Sequence, residues 1–380
     1  MADSARVDEQ MPDLGPIAGY PDWPAFLERE QVPTSGSGTR RILASILASI
    51  LGVRRAVAGD VRVEREWRSG GVHGRELSWQ LPYGPRTRAW VLRPDDDRRG
   101  LPGLLGLHCH GGVRSVGAEQ LLETDQAPHP SASRLRENVY GGLAPANDLA
   151  RDGFVVLAHD TFSWGSRAFD LSHPTPRLAG LIAGREALWR EEGVTPTEAE
   201  RFDAVASLHE DSLAKAAGML GTSLAGAVMT EDVAALDVLA GLDEVDAERL
   251  GTFGLSGGGG RAVMLRALDD RVRATVVTCM MATFASLVPR EIDTHSWLLN
   301  SPGIRAAGDL PEIAASASPR ELLVQYGAQD PLFPIEGMRD ADRALAGTPG
   351  YRGTFFDDGH VSSPAMQDEA RAFFAATLTA

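Results

Sequence analysis

The sequence has little cysteine and no strongly basic segment. Its two cysteines, Cys109 and Cys279, cannot form a disulfide framework, and both stand in apolar runs typical of buried strands. No lysine- or arginine-rich run occurs, and 52 acidic residues exceed 37 basic ones, which gives a formal net charge of −15. This balance argues against nucleic acid and against an anionic membrane surface as partners.

Long hydrophobic runs are also missing. The longest uncharged stretches, such as residues 274–288, stay short of the roughly 20 residues that a membrane-spanning helix needs. The first 15 residues carry Asp3, Asp8 and Glu9 and no apolar run, so we expect no signal peptide. Hydrophobic residues nevertheless make up 43% of the 380-residue chain, which is enough for a sizeable core. A soluble, cytoplasmic protein is therefore the expected class.

The N-terminal part differs in pattern from the rest of the chain. Residues 1–22 are polar and contain three prolines, whereas residues 23–30 and 41–53 read as helices, the second with apolar residues at a spacing of three and four. We expect residues 1–60 to form an arm that packs on a main domain over 61–380. The apolar side of the second helix could also dock on a second subunit, so a homodimer is a further expectation.

From residue 61 onward, strand patterns come first and then alternate with helical ones. This order predicts an α/β fold in which a mostly parallel sheet is covered by helices on both faces. The strand candidates are 61–67, 76–81, 87–94, 101–110, 153–160, the start of 249–260, 273–281, 320–330 and 351–360. The helix candidates among them are 231–242, 261–268, 334–346 and 363–377.

Residues 163–228 fit neither period well. Seven acidic residues stand within 191–211, against one arginine, Arg201. We expect this segment to be a mostly helical insertion between strands that forms a lid over the strand ends.

The sharpest chemical signal is the run Gly254-Leu255-Ser256-Gly257-Gly258, which follows an apolar strand and precedes a helix. A serine at such a tight strand-to-helix turn has strained dihedral angles, and its neighbours two before and two after need small side chains. The turn lifts the hydroxyl clear of the sheet and places a helix N-terminus beside it. The pattern predicts Ser256 as a nucleophile.

A serine hydroxyl needs a base that a third group orients, and in this context the chain order is Ser, acid, His. Asp330 ends a strand, and His360, the only histidine after it, follows the next strand. The pattern therefore predicts a triad of Ser256, Asp330 and His360. Asp357 and Asp358 are neighbouring alternatives for the acid.

Acyl transfer also needs hydrogen-bond donors for the developing oxyanion. The backbone N–H of Gly257 is one candidate, because it follows the nucleophile. The loop that ends the strand 101–110 supplies the other, from Gly111 or Gly112, and the sequence does not choose between them.

The triplet His108-Cys109-His110 raises the alternative of a metal site. Alternation along a strand sends the two histidines to one face and the cysteine to the other, and no further ligands stand at a suitable spacing. We therefore expect no metal. His110 is expected to support the oxyanion loop by hydrogen bonding and to face the substrate pocket.

Further pocket residues are predicted from the strand ends. The loop 159–167 contains Trp164 and Arg167, and Arg167 is expected to pair with Asp160 or to contact substrate. Met281 and Trp297 are also candidates for the pocket wall, although burial in the core is an equally good interpretation for each.

With these residues in place, the chain resembles the α/β-hydrolases, and most closely their dienelactone hydrolase-like and acetylxylan esterase-like serine esterases. The resemblance covers about residues 61–380 and rests on runs such as LLGLHCHGG, GTFGLSGGGG, LLVQYGAQD and FFDDGH. It implies a central sheet of about eight strands, no cofactor, and a triad at the positions of Ser256, Asp330 and His360. Dienelactone hydrolases proper have cysteine where this chain has Ser256.

The expected function is hydrolysis of a carboxylic ester or lactone of a small molecule. Three alternatives stay open: a peptidase or amidase, a biosynthetic lyase, cyclase or acyltransferase that uses the same triad, and a non-catalytic binding protein that keeps the fold.

Overall fold

A computed structural model describes residues 40–288 and 291–379, and these residues form one nine-stranded sheet flanked by helices. The strands are β1 (Gly59–Ser69), β2 (Val72–Gln80), β3 (Thr87–Pro94), β4 (Leu101–Leu107), β5 (Val155–His159), β6 (Val245–Leu255), β7 (Val272–Thr278), β8 (Glu321–Gly327) and β9 (Tyr351–Phe356). Nine strands match the nine candidates in the sequence and exceed by one the number that the family resemblance implies.

The α-helices fill the connections between the strands. They are α1 (Arg40–Leu51), α2 (Pro130–Val139), α3 (Pro145–Arg151), α4 (Pro176–Glu191), α5 (Glu198–Met219), α6 (Leu224–Ala240), α7 (Gly257–Leu268), α8 (Phe284–Leu287), α9 (Leu310–Ala315), α10 (Ile335–Leu345) and α11 (Pro364–Leu378). None of the helices within the described ranges combines the length and the apolar character that crossing a membrane requires.

The strand order is β1-β2-β3-β5-β4-β6-β7-β8-β9. Strands β1, β2, β3 and β5 pair antiparallel, whereas β5, β4, β6, β7, β8 and β9 run parallel. The predicted mostly parallel α/β sheet is therefore confirmed. Because all six parallel strands end at the same edge, the loops that follow them meet there and can form one site.

Strand β4 corrects one detail of the sequence interpretation. Its residues 101–107 belong to a candidate strand grouped with the alternating, antiparallel start of the sheet, but β4 lies at the centre between two parallel neighbours. All seven of its residues are buried. A strand buried on both faces is apolar throughout, so alternation does not mark it.

Helix α1 packs on the chain's own main domain. Leu47 and Leu51 are fully buried in the larger core cluster, and the Leu51 carbonyl accepts hydrogen bonds from the backbone N–H and the hydroxyl of Ser223. The apolar side that motivated the homodimer expectation is thus largely covered within the chain, and the dimer stays a prediction. The predicted arm over 1–22 and the helix over 23–30 lie outside the described residues.

The insertion is helical, as predicted, and consists mainly of α4 and α5. The following helix, α6, begins seven residues before the predicted start at residue 231 because the Ser223 side chain caps it, accepting the N–H of Gly226 at 2.9 Å. Gly226 leaves no room for a side chain, since a Cβ there would lie 1.9 Å from the Leu51 carbonyl oxygen. This close approach locks α6 against the end of α1.

Candidate active site

Ser256 stands at a strained turn between β6 and α7. Its backbone has φ 56° and ψ −127°, which only the surrounding structure can hold in place. The flanking glycines are sterically required, because a Cβ on Gly254 would lie 2.3 Å from the carbonyl carbon of Gly258, and one on Gly258 would lie 2.0 Å from the Leu107 carbonyl oxygen. This geometry is that of a nucleophile elbow.

His360 and Asp330 meet at the same edge of the sheet. Asp330 follows β8 and His360 follows β9, and the ring Nδ1 lies 2.6 Å from Asp330 Oδ2. The Asp330 side chain is fully buried, whereas that of His360 is 18% exposed. The other oxygen of Asp330 accepts the backbone N–H of Leu332 at 2.8 Å. Both carboxylate oxygens are therefore held, and the imidazole ring is held with them.

The loop that carries His360 is also tied to the end of β7. The thiol of Cys279 donates to the carbonyl oxygen of Val361 at 3.3 Å. Burial raises the pKa of this thiol to about 12, so it stays protonated and acts as a donor. Sequence reasoning predicted a buried cysteine but gave no sign of this contact.

Ser256 and His360 line one cavity of about 660 Å³ at the carboxyl edge of the parallel strands. Within the described part of the chain, no hydrogen bond joins the serine hydroxyl to the imidazole. Apolar residues supply much of the cavity wall, among them Met229, Leu298 and Leu332, and a similar number of polar and charged residues line the rest. A cavity of this size that offers both apolar surface and polar groups suits a small organic ligand.

The predicted oxyanion loop reaches the same cavity. Gly111 and Gly112 have φ values of 62° and 68°, a region that glycine enters without penalty. The N–H of Gly112 donates to His110 Nδ1 at 3.1 Å, so the predicted support of the loop by His110 is present as a hydrogen bond. Helix α7 approaches this loop closely, because a Cβ on Gly257 would lie 3.3 Å from the backbone nitrogen of His110.

Two acids of the insertion, Asp203 and Glu210, also contact this loop, and sequence reasoning did not single them out. It counted both among the seven acids of residues 191–211, but both are buried. The only available signal was their spacing of seven residues, which places them on one face of α5.

A second buried ionic group joins α6 to α7, the helix that follows Ser256. Asp232 accepts two hydrogen bonds from Arg261, at 2.6 and 2.9 Å. Its Oδ1 also lies 3.0 Å from Nε2 of His159. Burial raises the pKa of Asp232, but the charge and hydrogen bonds of Arg261 outweigh this effect and hold it well below its usual range. Arg261 also donates to the His108 carbonyl at 3.0 Å, which joins α7 to the end of β4.

Three of the predicted pocket residues, Trp164, Met281 and Arg167, do not line the cavity. Trp164 is buried beside His110, and its indole N–H donates to the His110 carbonyl at 3.4 Å. Met281 is buried in the core. Neither lines the cavity, whereas His110 and Trp297 do. Large apolar side chains serve equally well in a core and in a pocket wall, so their type alone could not decide.

Arg167 also has a different partner from the one predicted. It forms a buried ion pair with Glu231, at 2.5 Å, and donates to the carbonyl oxygens of Tyr83 and Pro85. Asp160 instead accepts backbone N–H groups, including that of Ser166 at 2.8 Å. Arg167 therefore holds the insertion to the main domain and does not line the cavity.

The described ranges contain no group of three or more His, Cys, Asp and Glu side chains that could hold a metal ion. His108 and His110 both contact Trp164, and Cys109 packs in a different cluster, which agrees with the alternation argued from the sequence.

The sheet order, the crossover helices and the elbow after β6 together define the α/β-hydrolase fold. The family model described as acetyl xylan esterase (AXE1) matches residues 222–293, the segment that runs from α6 through the elbow to α8. A Bacillus subtilis (strain 168) protein, provisionally named the hydrolase YtaP, is 24% identical over 297 residues, which are 76% of this chain and 82% of the relative.

Two solved structures show the same fold. A Bacteroides fragilis NCTC 9343 protein, provisionally classed as an acetyl xylan esterase, has a TM-score of 0.64 at 15% identity, with 90% of this chain and 82% of that chain covered. Acetyl xylan esterase 1 from Thermoanaerobacterium sp. JW/SL YS485 has a TM-score of 0.51 at 16% identity, with 92% and 98% covered. The fold of the chain is thus established, and the comparisons support a carboxylic ester hydrolase.

Proposed function

We propose that this protein is a serine hydrolase that cleaves a carboxylic ester or lactone of a small molecule through an acyl-enzyme on Ser256. The observation that carries the proposal is the elbow itself. Ser256 adopts φ 56° at the wall of a cavity that His360 also lines, and His360 is held by a buried carboxylate. Strain of this kind persists where the surrounding structure maintains it, and it clusters at active sites.

In the proposed reaction, the Ser256 hydroxyl attacks the ester carbonyl carbon while Nε2 of His360 takes its proton. Asp330 accepts from Nδ1 and stabilises the imidazolium that forms. The imidazolium then protonates the leaving alcohol oxygen as the tetrahedral intermediate collapses. A water molecule then attacks the acyl carbon while Nε2 of His360 takes its proton, and the imidazolium returns that proton to the Ser256 oxygen as the carboxylic acid is released.

The oxyanion would be stabilised by the N–H of Gly257, at the start of α7, and by the loop after β4. In that loop the Gly112 N–H already donates to His110, whereas the Gly111 N–H has no hydrogen-bond partner among the described residues. We therefore assign Gly111 as the second donor.

Among the described residues, no direct hydrogen bond joins Ser256 to His360. Catalytic hydrogen bonds are often long in free enzymes and tighten when the substrate binds. The proposal requires the serine hydroxyl and Nε2 of His360 to come within hydrogen-bond distance of each other when the substrate binds.

The test is a substrate panel combined with active-site labelling. Short p-nitrophenyl esters and simple lactones should be hydrolysed, and peptide anilides should not, because amine leaving groups need stronger protonation and a site of about 660 Å³ suits small ligands. A fluorophosphonate should attach to Ser256, as identified by mass spectrometry. Faster cleavage of anilides would favour the amidase alternative, and binding of esters without turnover would favour a non-catalytic protein.

A further inference from the structure

Two buried carboxylates of the insertion face the oxyanion loop. Asp203 and Glu210 both stand on α5, seven residues apart, so they lie on one face of the helix about two turns from each other. Their residues are 5% and 6% exposed, in contrast to the exposed acid Glu198 at the start of the same helix. Buried carboxylates cost free energy unless they are paired, so their partners show what they do.

Asp203 holds the backbone of the loop just after its two glycines. Its Oδ1 accepts the N–H groups of Arg114 and Ser115, each at 2.7 Å, and its Oδ2 accepts the Ser115 hydroxyl at 3.0 Å. These bonds satisfy two consecutive backbone donors that belong to neither a helix nor a strand, and they fix the direction in which the chain leaves the loop.

Glu210 holds the start of the same loop and joins it to a second wall of the cavity. Its Oε2 contacts Nε2 of His110 at 3.2 Å and accepts from the Arg114 guanidinium. Its Oε1 accepts the hydroxyl of Ser296 at 2.7 Å and the backbone N–H of Trp297 at 2.8 Å. One carboxylate therefore connects three separate segments of the chain.

The charge of Glu210 decides the tautomer of His110. Burial raises the pKa of Glu210, but the hydrogen bond from His110 and the charge of Arg114 outweigh it and lower the pKa to about 2. The ionised carboxylate is an acceptor only and lies 3.2 Å from Nε2, closer than the Arg114 guanidinium at 3.4 Å, so Nε2 is assigned as the donor. Nδ1 is then the acceptor that receives the N–H of Gly112 at 3.1 Å. The tautomer is assigned from these partners.

We propose that Asp203 and Glu210 are positioning residues that hold the oxyanion loop in its reactive conformation. Helix α5 of the insertion is then a fixed component of the active site and not part of a lid that opens for each turnover. The inference rests on the proposed function, because it assigns the loop to oxyanion binding. Two successive glycines make the loop costly to order, and oxyanion donors are effective only when they are held in place beforehand.

The test compares Glu210→Gln and Asp203→Asn with Glu198→Gln, which makes the same chemical change at an exposed position of α5. We expect kcat to fall about 10- to 100-fold in the first two variants with KM nearly unchanged, a smaller loss than the roughly 100- to 1000-fold seen when an oxyanion donor is removed outright. The Glu198→Gln variant should match the unmodified enzyme.

The affinity for a methyl trifluoromethyl ketone separates positioning from general damage. This inhibitor adds to the nucleophilic serine and forms an oxyanion, so its inhibition constant should rise in proportion to the loss of kcat/KM. A purely structural role would not raise this constant selectively while leaving KM unchanged. A rise in KM with unchanged kcat and inhibition constant would overturn the proposal.

The two proposals fail in different ways. If the unmodified enzyme hydrolyses no ester, the proposed function fails and the inference falls with it. If it hydrolyses esters and Glu210→Gln is as active as Glu198→Gln, only the inference fails. If Glu210→Gln does not fold, Asp203→Asn provides an independent test. If neither variant folds, the proposal that the two residues only position the oxyanion loop is overturned.

Discussion

His360 Nδ1 lies 2.6 Å from Oδ2 of Asp330, although 30 residues separate the two along the chain. The second oxygen of Asp330 is fixed by the N–H of Leu332, and the carboxylate is fully buried. The ring therefore cannot turn without breaking a short, buried hydrogen bond. This arrangement leaves Nε2 as the ring nitrogen that is free to exchange a proton in the cavity.

Replacing Asp330 by asparagine should lower kcat by about 10⁴-fold, because the amide no longer stabilises the imidazolium or selects the correct tautomer. The matched control is Asp357→Asn, since Asp357 is exposed and accepts a hydrogen bond from Gln329 at 2.6 Å. Steady-state kinetics on a p-nitrophenyl ester measure both. An equal loss of kcat in Asp357→Asn would instead favour Asp357 as the acid of the triad.

Replacing Ser256 by alanine should reduce turnover by about 10³- to 10⁶-fold and abolish fluorophosphonate labelling, because the variant lacks the proposed nucleophile. Ser172→Ala, in an exposed part of the insertion, should retain both activity and labelling. Thermal unfolding of the two variants should coincide within a few degrees. Labelling that persists in the Ser256 variant would place the nucleophile elsewhere.

Replacing Gly258 by alanine should destabilise the fold by about 3 kcal/mol or prevent folding, because the new Cβ would lie 2.0 Å from the Leu107 carbonyl oxygen. Gly184→Ala makes the same change in α4, where nothing lies within 4 Å of the added carbon. The free energy of unfolding of that variant should rise by about 0.5–1 kcal/mol, because alanine has a higher helix propensity than glycine. Urea unfolding measures both, and equal effects would contradict the geometry of the elbow.

The buried Glu210 should contribute to the acid sensitivity of the fold. Its pKa is lowered to about 2 in the folded protein, so its ionised form stabilises the fold above the unfolded pKa near 4.5. That contribution is lost as the pH falls through this window toward 2. The difference in urea midpoint between the unmodified protein and Glu210→Gln should therefore shrink between pH 5 and pH 3. A difference that stays constant would show that the charge of Glu210 contributes nothing.

Much of the fold follows from local sequence signals, and the site follows from where the strands end. Alternating strand and helix patterns predict the parallel sheet, and Ser256, Asp330 and His360 each stand just after a predicted strand. The edge of a parallel sheet then brings residues 256 and 360 to one cavity, because all such strands end on the same side.

Contacts between distant segments could not be predicted in the same way. Arg167 pairs with Glu231, 64 residues away, and not with the nearby Asp160. Among the seven acids of residues 191–211, only the docking of α5 on the loop distinguishes the buried Asp203 and Glu210 from their solvated neighbours. Composition and periodicity describe one element at a time, whereas these roles depend on how two elements pack.

The two helices of the insertion differ sharply in how they attach to the rest of the molecule. Helix α5 buries five residues, but α4 buries only Leu178. Because so little holds α4 in place, we expect substitutions on it to change the stability of the fold less than substitutions on the buried face of α5. For protein engineering, we expect α4 to tolerate the insertion of a tag or a second domain without a change in the cavity that Ser256 lines.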